Sequence, residues 1–177
     1  MSVKELYLNL YKASNAELEE RAKRAISDYY HIPKEYLDKI KICYKKLPCK
    51  IIIDRNDWFP VSLSALLGHY DKKRKKIYIE KNLPNDAKFL TLLHEFVHAV
   101  QDYYGKYEMP NKESSRKLER EAKDISAHLF IREFCLDAYY TAVENGYACA
   151  KEKIRKCNFL KKFLYYILRI FVEPWLK

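Results

Sequence analysis

A 3.6-residue rhythm of apolar side chains runs through Phe89, Leu90, Leu93, Val97, Val100 and Tyr104 and stops at Gly105. Residues three and four apart stack on one helical face, and glycine is the usual residue just past a helix end. The segment opening near Asn85 is therefore predicted to be a single helix with a broad apolar stripe. Such a helix has to be covered along its length, so the rest of the chain must pack around it. At 177 residues the chain fits one domain, and its 49% hydrophobic content excludes disorder for most of it. Only three glycines are present, and neither G-x-G-x-x-G nor a P-loop occurs, which argues against a glycine-rich nucleotide fold.

Before this helix, Ser2-Val3-Lys4-Glu5 and Ser14-Asn15-Ala16-Glu17 each set a hydroxyl three residues ahead of a carboxylate. These are capping boxes, and they predict helices over about 3–12 and 15–30 that end near His31-Ile32-Pro33. Pro33 suits the start of a further helix, predicted to reach about Leu47 before Pro48. The β-branched run Cys49 to Asp54 predicts a strand, followed by a loop holding Trp58-Phe59-Pro60 and Gly68. A second strand is predicted at Lys76-Ile77-Tyr78-Ile79-Glu80, with the basic run Lys72–Lys76 at a hairpin tip. Beyond Gly105, a linker over 106–112 leads to a long helix from about Ser114 to Asn145, closed by Gly146. The fold class is thus α+β and mostly helical, with a small sheet packed before the central helix and extra N- and C-terminal helices. We read 1–177 as one domain, comprising N-terminal helices (1–47), a core (48–134) and a C-terminal helical extension (135–177).

The central helix carries His94-Glu95-Phe96-Val97-His98. Two histidines four apart lie one turn above each other, so both imidazoles can reach one metal ion. Glu95 is about 100° round from His94, placed to act as general base on a water without being a ligand. Zinc suits this set, because it takes nitrogen ligands and keeps an open coordination position. A catalytic zinc needs a third protein ligand, which the motif lacks. Downstream, Glu113, Glu119, Glu121 and Asp124 offer carboxylates. Glu121 is favoured through its half-helix shared with Leu118, Ala122, Ile125 and Leu129, while Glu119 is read as facing outward with Arg116 and Lys123. Asp124 and His128 fall at +3 and +7 from Glu121 and are candidates for supporting the ligands or donating to an oxyanion. His128 is also the alternative third ligand, and Tyr103 and Tyr104 are further oxyanion candidates.

His94-Glu95-Phe96-Val97-His98 followed by Glu121-Ala122-Lys123-Asp124-Ile125-Ser126-Ala127 resembles the gluzincin metallopeptidases, closest to the minigluzincins and ImmA/IrrE-like proteins. In those groups an HExxH helix precedes a Glu-Ala helix, and a strand just before the first helix forms the upper rim of the cleft. Lys76–Glu80 matches that strand in position and pattern. The resemblance covers roughly 49–134. It implies zinc-dependent hydrolysis of peptide bonds in a peptide or protein substrate lying extended along the rim. One departure stands out: where larger gluzincins often carry an acid four residues after the third ligand, Ile125 stands here.

The chain carries 34 Lys+Arg against 24 Asp+Glu, a formal charge of +10. The basic runs at Lys72–Lys76 and Lys151–Lys162 make nucleic acid or an anionic surface candidate partners. An inactive zincin-fold binding protein contacting nucleic acid, or a partner bound to it, is the alternative function. Five cysteines without a Cys-x-x-Cys pair, and no signal-peptide core, predict free thiols and a cytoplasmic protein. The Phe159–Trp175 segment is interrupted by charges and predicts an amphipathic helix, with no transmembrane segment.

Overall fold

A computed structural model describes residues 3–53, 61–106, 112–157 and 163–166. Ser2, Trp58-Phe59-Pro60 and most of the Phe159–Trp175 segment lie outside the described residues. The protein is α+β and mostly helical. Helices α1 (Val3–Lys12) and α2 (Asn15–Tyr30) match the capping signals. The Ser14 hydroxyl accepts from the Glu17 N–H at 3.3 Å, and the Glu17 carboxylate accepts from the Ser14 N–H at 2.7 Å. Helix α2 ends where His31 turns left-handed at φ 53°.

The helix expected from Pro33 to Leu47 is only α3 (Lys34–Asp38), and Lys41–Lys45 forms strand β1 instead. Ile42, Cys43 and Tyr44 suit a pleated, half-buried surface, and a parallel ladder to a later strand uses their backbone groups. Strand β2 (Cys49–Ile53) forms where its β-branched run predicts it. The expected loop after it contains two more strands, β3 (Val61–Ala65) and β4 (Gly68–Asp71). Neither has a strong strand composition; β3 is held by antiparallel pairing with β2, and β4 by antiparallel pairing with β5 (Lys76–Glu80). The basic turn joins β4 to β5, with Lys75 at φ 50°. Lys72 and Lys75 share the single Asp102 carboxylate and Arg74 pairs with Asp71 at 3.5 Å, so part of the run's charge is matched within the fold. The three-stranded sheet has the order β1-β5-β4, which leaves β4 at an edge.

Helix α4 (Asn85–Tyr103) crosses the centre of the molecule, burying Phe89, Leu92, Leu93, Phe96, Val97 and Val100. Tyr70, Ile77 and Ile79 face it from the sheet, and α2 and α5 (Lys112–Glu133) pack along its sides. The single helix expected over 114–145 is two. The chain breaks at Phe134, Cys135 Sγ accepts from the Ala138 N–H at 3.4 Å, and α6 (Leu136–Arg155) begins. Gly146 does not end a helix; it lies buried within α6 beside Ala87 and Leu67.

Two buried carboxylates fasten these layers. Asp86, in the first turn of α4, accepts from the hydroxyls of Tyr7 and Tyr11 at 3.0 Å each and from Asn145 at 2.7 Å, drawing α1 and α6 onto α4. Glu80, at the end of β5, pairs with Lys153 of α6 and accepts from the Leu47 N–H at 2.8 Å. Burial alone would raise the Glu80 pKa, but the ammonium and the amide outweigh it and hold the carboxyl below its ordinary value. All five cysteines are free thiols. Among the described residues, no helix is long and apolar enough to cross a membrane.

Candidate metal centre

His94, Glu95 and His98 stand on the flank of α4 that faces away from its packed stripe. The Nε2 atoms of His94 and His98 are 3.1 Å apart, with the two rings almost perpendicular. From α5, Glu119 brings one carboxylate oxygen to 3.4 Å from His94 Nε2 and the other to 3.3 Å from His98 Nε2. Hydrogen bonds from both imidazoles hold the Glu119 carboxyl well below the usual carboxylate range. Burial disfavours the charged form of His98, but Glu119 and Glu95 more than offset this and raise its pKa.

The carboxylate beside the histidines is thus Glu119, whereas Glu121 looks elsewhere. Glu121 accepts from Gln101 Nε2 at 3.1 Å and from Lys106 at 3.0 Å. At about 100° per residue, Glu119 lies about 60° from Ala122 on one flank of the α5 stripe, and Glu121 about 100° away on the other. Glu119 is the more exposed of the two, at 58% against 31%, as its outward reading expects, yet it is the one that reaches the histidines. Glu121 still reaches the site indirectly: Gln101, 1% exposed, has its Oε1 2.8 Å from His98 Nδ1 and donates to Glu121 and to the Leu118 carbonyl.

The other candidates are not brought together with the histidines. Asp124 is exposed. His128 is exposed too, its ring beside Tyr29 at 5.9 Å. Tyr103 packs on Tyr36, and the Tyr104 hydroxyl donates to the Tyr30 carbonyl at 3.4 Å. None of the four lines the cleft described next.

That cleft has a volume of about 650 Å³ and opens over the histidines. Its floor is His94, Glu95, His98, Leu90 and Thr91 of α4; one wall is Glu119, Lys123 and Ser126 of α5, with Tyr139 and Val143 of α6 beside them. The opposite wall is Ala65 to Tyr70 together with Lys50. The expected rim strand, Lys76–Glu80, is instead the central strand of its sheet, and β4 forms the rim. In the antiparallel ladder the Glu80 N–H donates to the Leu67 carbonyl at 2.8 Å, and Gly68 pairs opposite Ile79. Alternation along such a ladder directs the backbone groups of Leu67, His69 and Asp71 toward β5, and those of Gly68 and Tyr70 outward. The Tyr70 N–H is engaged by the Glu95 carboxylate.

Glu95 is 5% exposed, and its burial raises its pKa against the pull of both imidazoles. Gly68 makes room for it: a Cβ there would stand 2.5 Å from Glu95 Oε1 and 2.6 Å from Thr91 Cγ2. His69, on the rim, lies parallel to Tyr78, and burial together with the Lys50 charge lowers its pKa. Gly68, His69 and Gln101 carry no motif of their own. Only the folded strand and the turn of α4 bring them to the centre.

The donor set fits a zinc ion. Two imidazole nitrogens and one carboxylate are a catalytic-type ligand set, and ligands 2.0–2.1 Å from a tetrahedral zinc stand about 3.3 Å from one another. The two imidazole nitrogens, 3.1 Å apart, match that spacing, and each has one Glu119 oxygen at a similar distance, 3.4 and 3.3 Å, so that one donor atom from each residue lies within 4.8 Å of the others.

The model of the IrrE N-terminal-like domain, a peptidase family, matches residues 39–148. That span includes both sheets, α4, α5 and every residue lining the cleft. No curated protein and no solved structure matches the chain.

Proposed function

The chain belongs to the IrrE N-terminal-like domain family of zincin-like peptidases, and from that premise we propose that it is a zinc-dependent peptidase with Glu95 as its general base. The carrying observation is the grouping of His94, His98 and Glu119 beside a buried carboxylate whose one hydrogen-bond partner among the described residues is the Tyr70 amide. His94, His98 and Glu119 would hold the ion. A zinc ion held there supplies Lewis acidity toward water and toward a peptide carbonyl.

The remaining work belongs to the chain. Glu95, its pKa raised by burial, is suited to take a proton from water on one carboxylate oxygen and deliver it to the departing amine. The Tyr70 amide fixes the orientation of that carboxylate. The outward backbone groups of Gly68 and the Tyr70 carbonyl bind an extended peptide by adding a strand to β4. His69, kept neutral, has a ring N–H able to donate to the substrate carbonyl. Gln101 accepts from His98 Nδ1, which directs Nε2 at the metal position.

The test compares the zinc-loaded wild type with Glu95→Gln. Peptide cleavage should fall by about 10²–10⁴-fold while zinc content, read by elemental analysis, stays at one per chain. Glu119→Gln should weaken zinc binding far more than Glu121→Gln. Unchanged cleavage in Glu95→Gln with metal bound would overturn the proposal.

A further inference from the structure

We propose that the cleft selects a peptide carrying a carboxylate close to the scissile bond, held between Lys50 on the β2 side and Lys123 on α5. This rests on the zinc-peptidase reading. Among the described residues, four charged side chains line the cleft apart from the histidines: Lys50, Lys123, Glu95 and Glu119. Both acids are engaged at the histidine end, Glu119 by the two imidazoles and Glu95 by the Tyr70 amide. These four charges cancel, so a divalent ion at the centre leaves the described lining with two positive charges in excess.

Nothing within the described fold balances that excess. Other lysines close to the core are matched: Lys153 by Glu80, Lys75 by Asp102, Lys106 by Glu121, and Lys88 by Asn15 and Asn85. Lys50 and Lys123 make no side-chain hydrogen bond or ion pair with a described residue, yet both face the cleft. Their positions are opposed. Lys50 lies on the rim wall, near enough to influence the His69 imidazole. Lys123 is one turn beyond Glu119 on the same flank of α5, so it sits along the cleft from the metal position. A peptide added to the β4 edge runs between the two walls, and a carboxylate on it would meet an ammonium from either side. The apolar part of the lining, Leu67, Leu90 and Val143, gives the same substrate an uncharged residue to bury at the α6 end.

The carboxylate could be that of an acidic side chain or of a chain terminus, and one experiment separates them. Zinc-loaded Glu95→Gln protein is titrated with fluorescent peptides that differ only by Glu or Gln at the central position, each with a free or an amidated C-terminus. Carboxylate-bearing peptides should bind about tenfold tighter, with the advantage shrinking at high salt. A preference that follows the central Glu identifies the side chain; one that follows the free terminus identifies the chain end. In Lys50→Gln/Lys123→Gln on the same background the advantage should vanish, with an unchanged melting temperature because both side chains are exposed. Equal binding of all four peptides, or an advantage that survives in the double lysine variant, overturns the proposal. Cleavage by the otherwise wild-type chain reports separately: carboxylate-selective binding without any cleavage would sink the peptidase reading alone, and cleavage without selectivity would sink this one alone.

Discussion

If Glu95 is the general base proposed above, Gly68→Ala should disable it while leaving His94, His98 and Glu119 in place. The new Cβ would lie 2.5 Å from Glu95 Oε1, 2.6 Å from Thr91 Cγ2 and 2.9 Å from Glu95 Cγ. Ordinary carbon contacts are about 3.5–4.0 Å, so about 1 Å must be found between an edge strand and a helix that is buried on its other side. Overpacking of this kind costs about 1–3 kcal/mol. Alanine also restricts the unfolded chain, offsetting about 0.4–1 kcal/mol of that, since Gly68 needs no left-handed backbone. The net loss is about 0–2.6 kcal/mol, which at roughly 2–4 °C per kcal/mol for a chain this size lowers the melting temperature by up to roughly 10 °C. The larger effect is on catalysis, because a 1 Å displacement of a reacting group can cost about 10²-fold. Zinc affinity should be unchanged, since His94, His98 and Glu119 are not among the atoms the Cβ meets. Adding Thr91→Ser should return part of the melting temperature and little of the activity. Wild-type stability and cleavage in Gly68→Ala would refute the argument that this glycine exists to admit Glu95.

Two further outcomes follow from buried polar contacts. Gln101→Leu removes the acceptor at His98 Nδ1 and should weaken zinc binding by about 10–100-fold in a competition with a chromophoric chelator; an unchanged constant would mean the contact does not orient the ligand. For Glu80, the folded pKa is depressed, so its stabilisation is present above the ordinary carboxyl range and is lost as pH falls through the folded value. Glu80→Gln should destabilise the protein by about 3 kcal/mol near neutrality by leaving Lys153 buried without its partner. It should also flatten the acid side of the stability profile, and thermal melts that keep the wild-type acid slope would count against this.

The sequence was most informative where local chemistry and tertiary demand agreed. The Ser14–Glu17 capping box, the apolar rhythm from Phe89 and the β-branched run at Cys49 each became the element they predicted. It misled where pairing overrode composition. Lys41–Lys45 follows a good helix start, yet becomes a strand because β5 offers it a parallel ladder. Gly68–Asp71 has no strand composition and still forms the cleft rim, because β5 pairs with it on one side and Glu95 takes its Tyr70 amide on the other. At the centre, His94, Glu95 and His98 were legible because one helix supplies them at fixed spacing. The carboxylate beside them depends on how α5 is rotated against α4. Two glutamates flank its stripe, and the choice of Glu119 over Glu121 is made by packing.

The Asp86 cluster has a consequence for where this unit can be cut. The family match begins at residue 39 and ends at 148. A fragment of that length would lack Tyr7 and Tyr11, and it would sever α6 three residues after Asn145, short of Lys153. It would keep Asp86 and Glu80 but discard both tyrosine hydroxyls on the first and the ammonium on the second, and it would open the apolar surface now covered by Leu10, Leu18 and Ile26. The terminal helices are thus in-built struts of the central helix. A version trimmed to its recognisable signature is therefore expected to be less stable than the full chain, losing support at both ends.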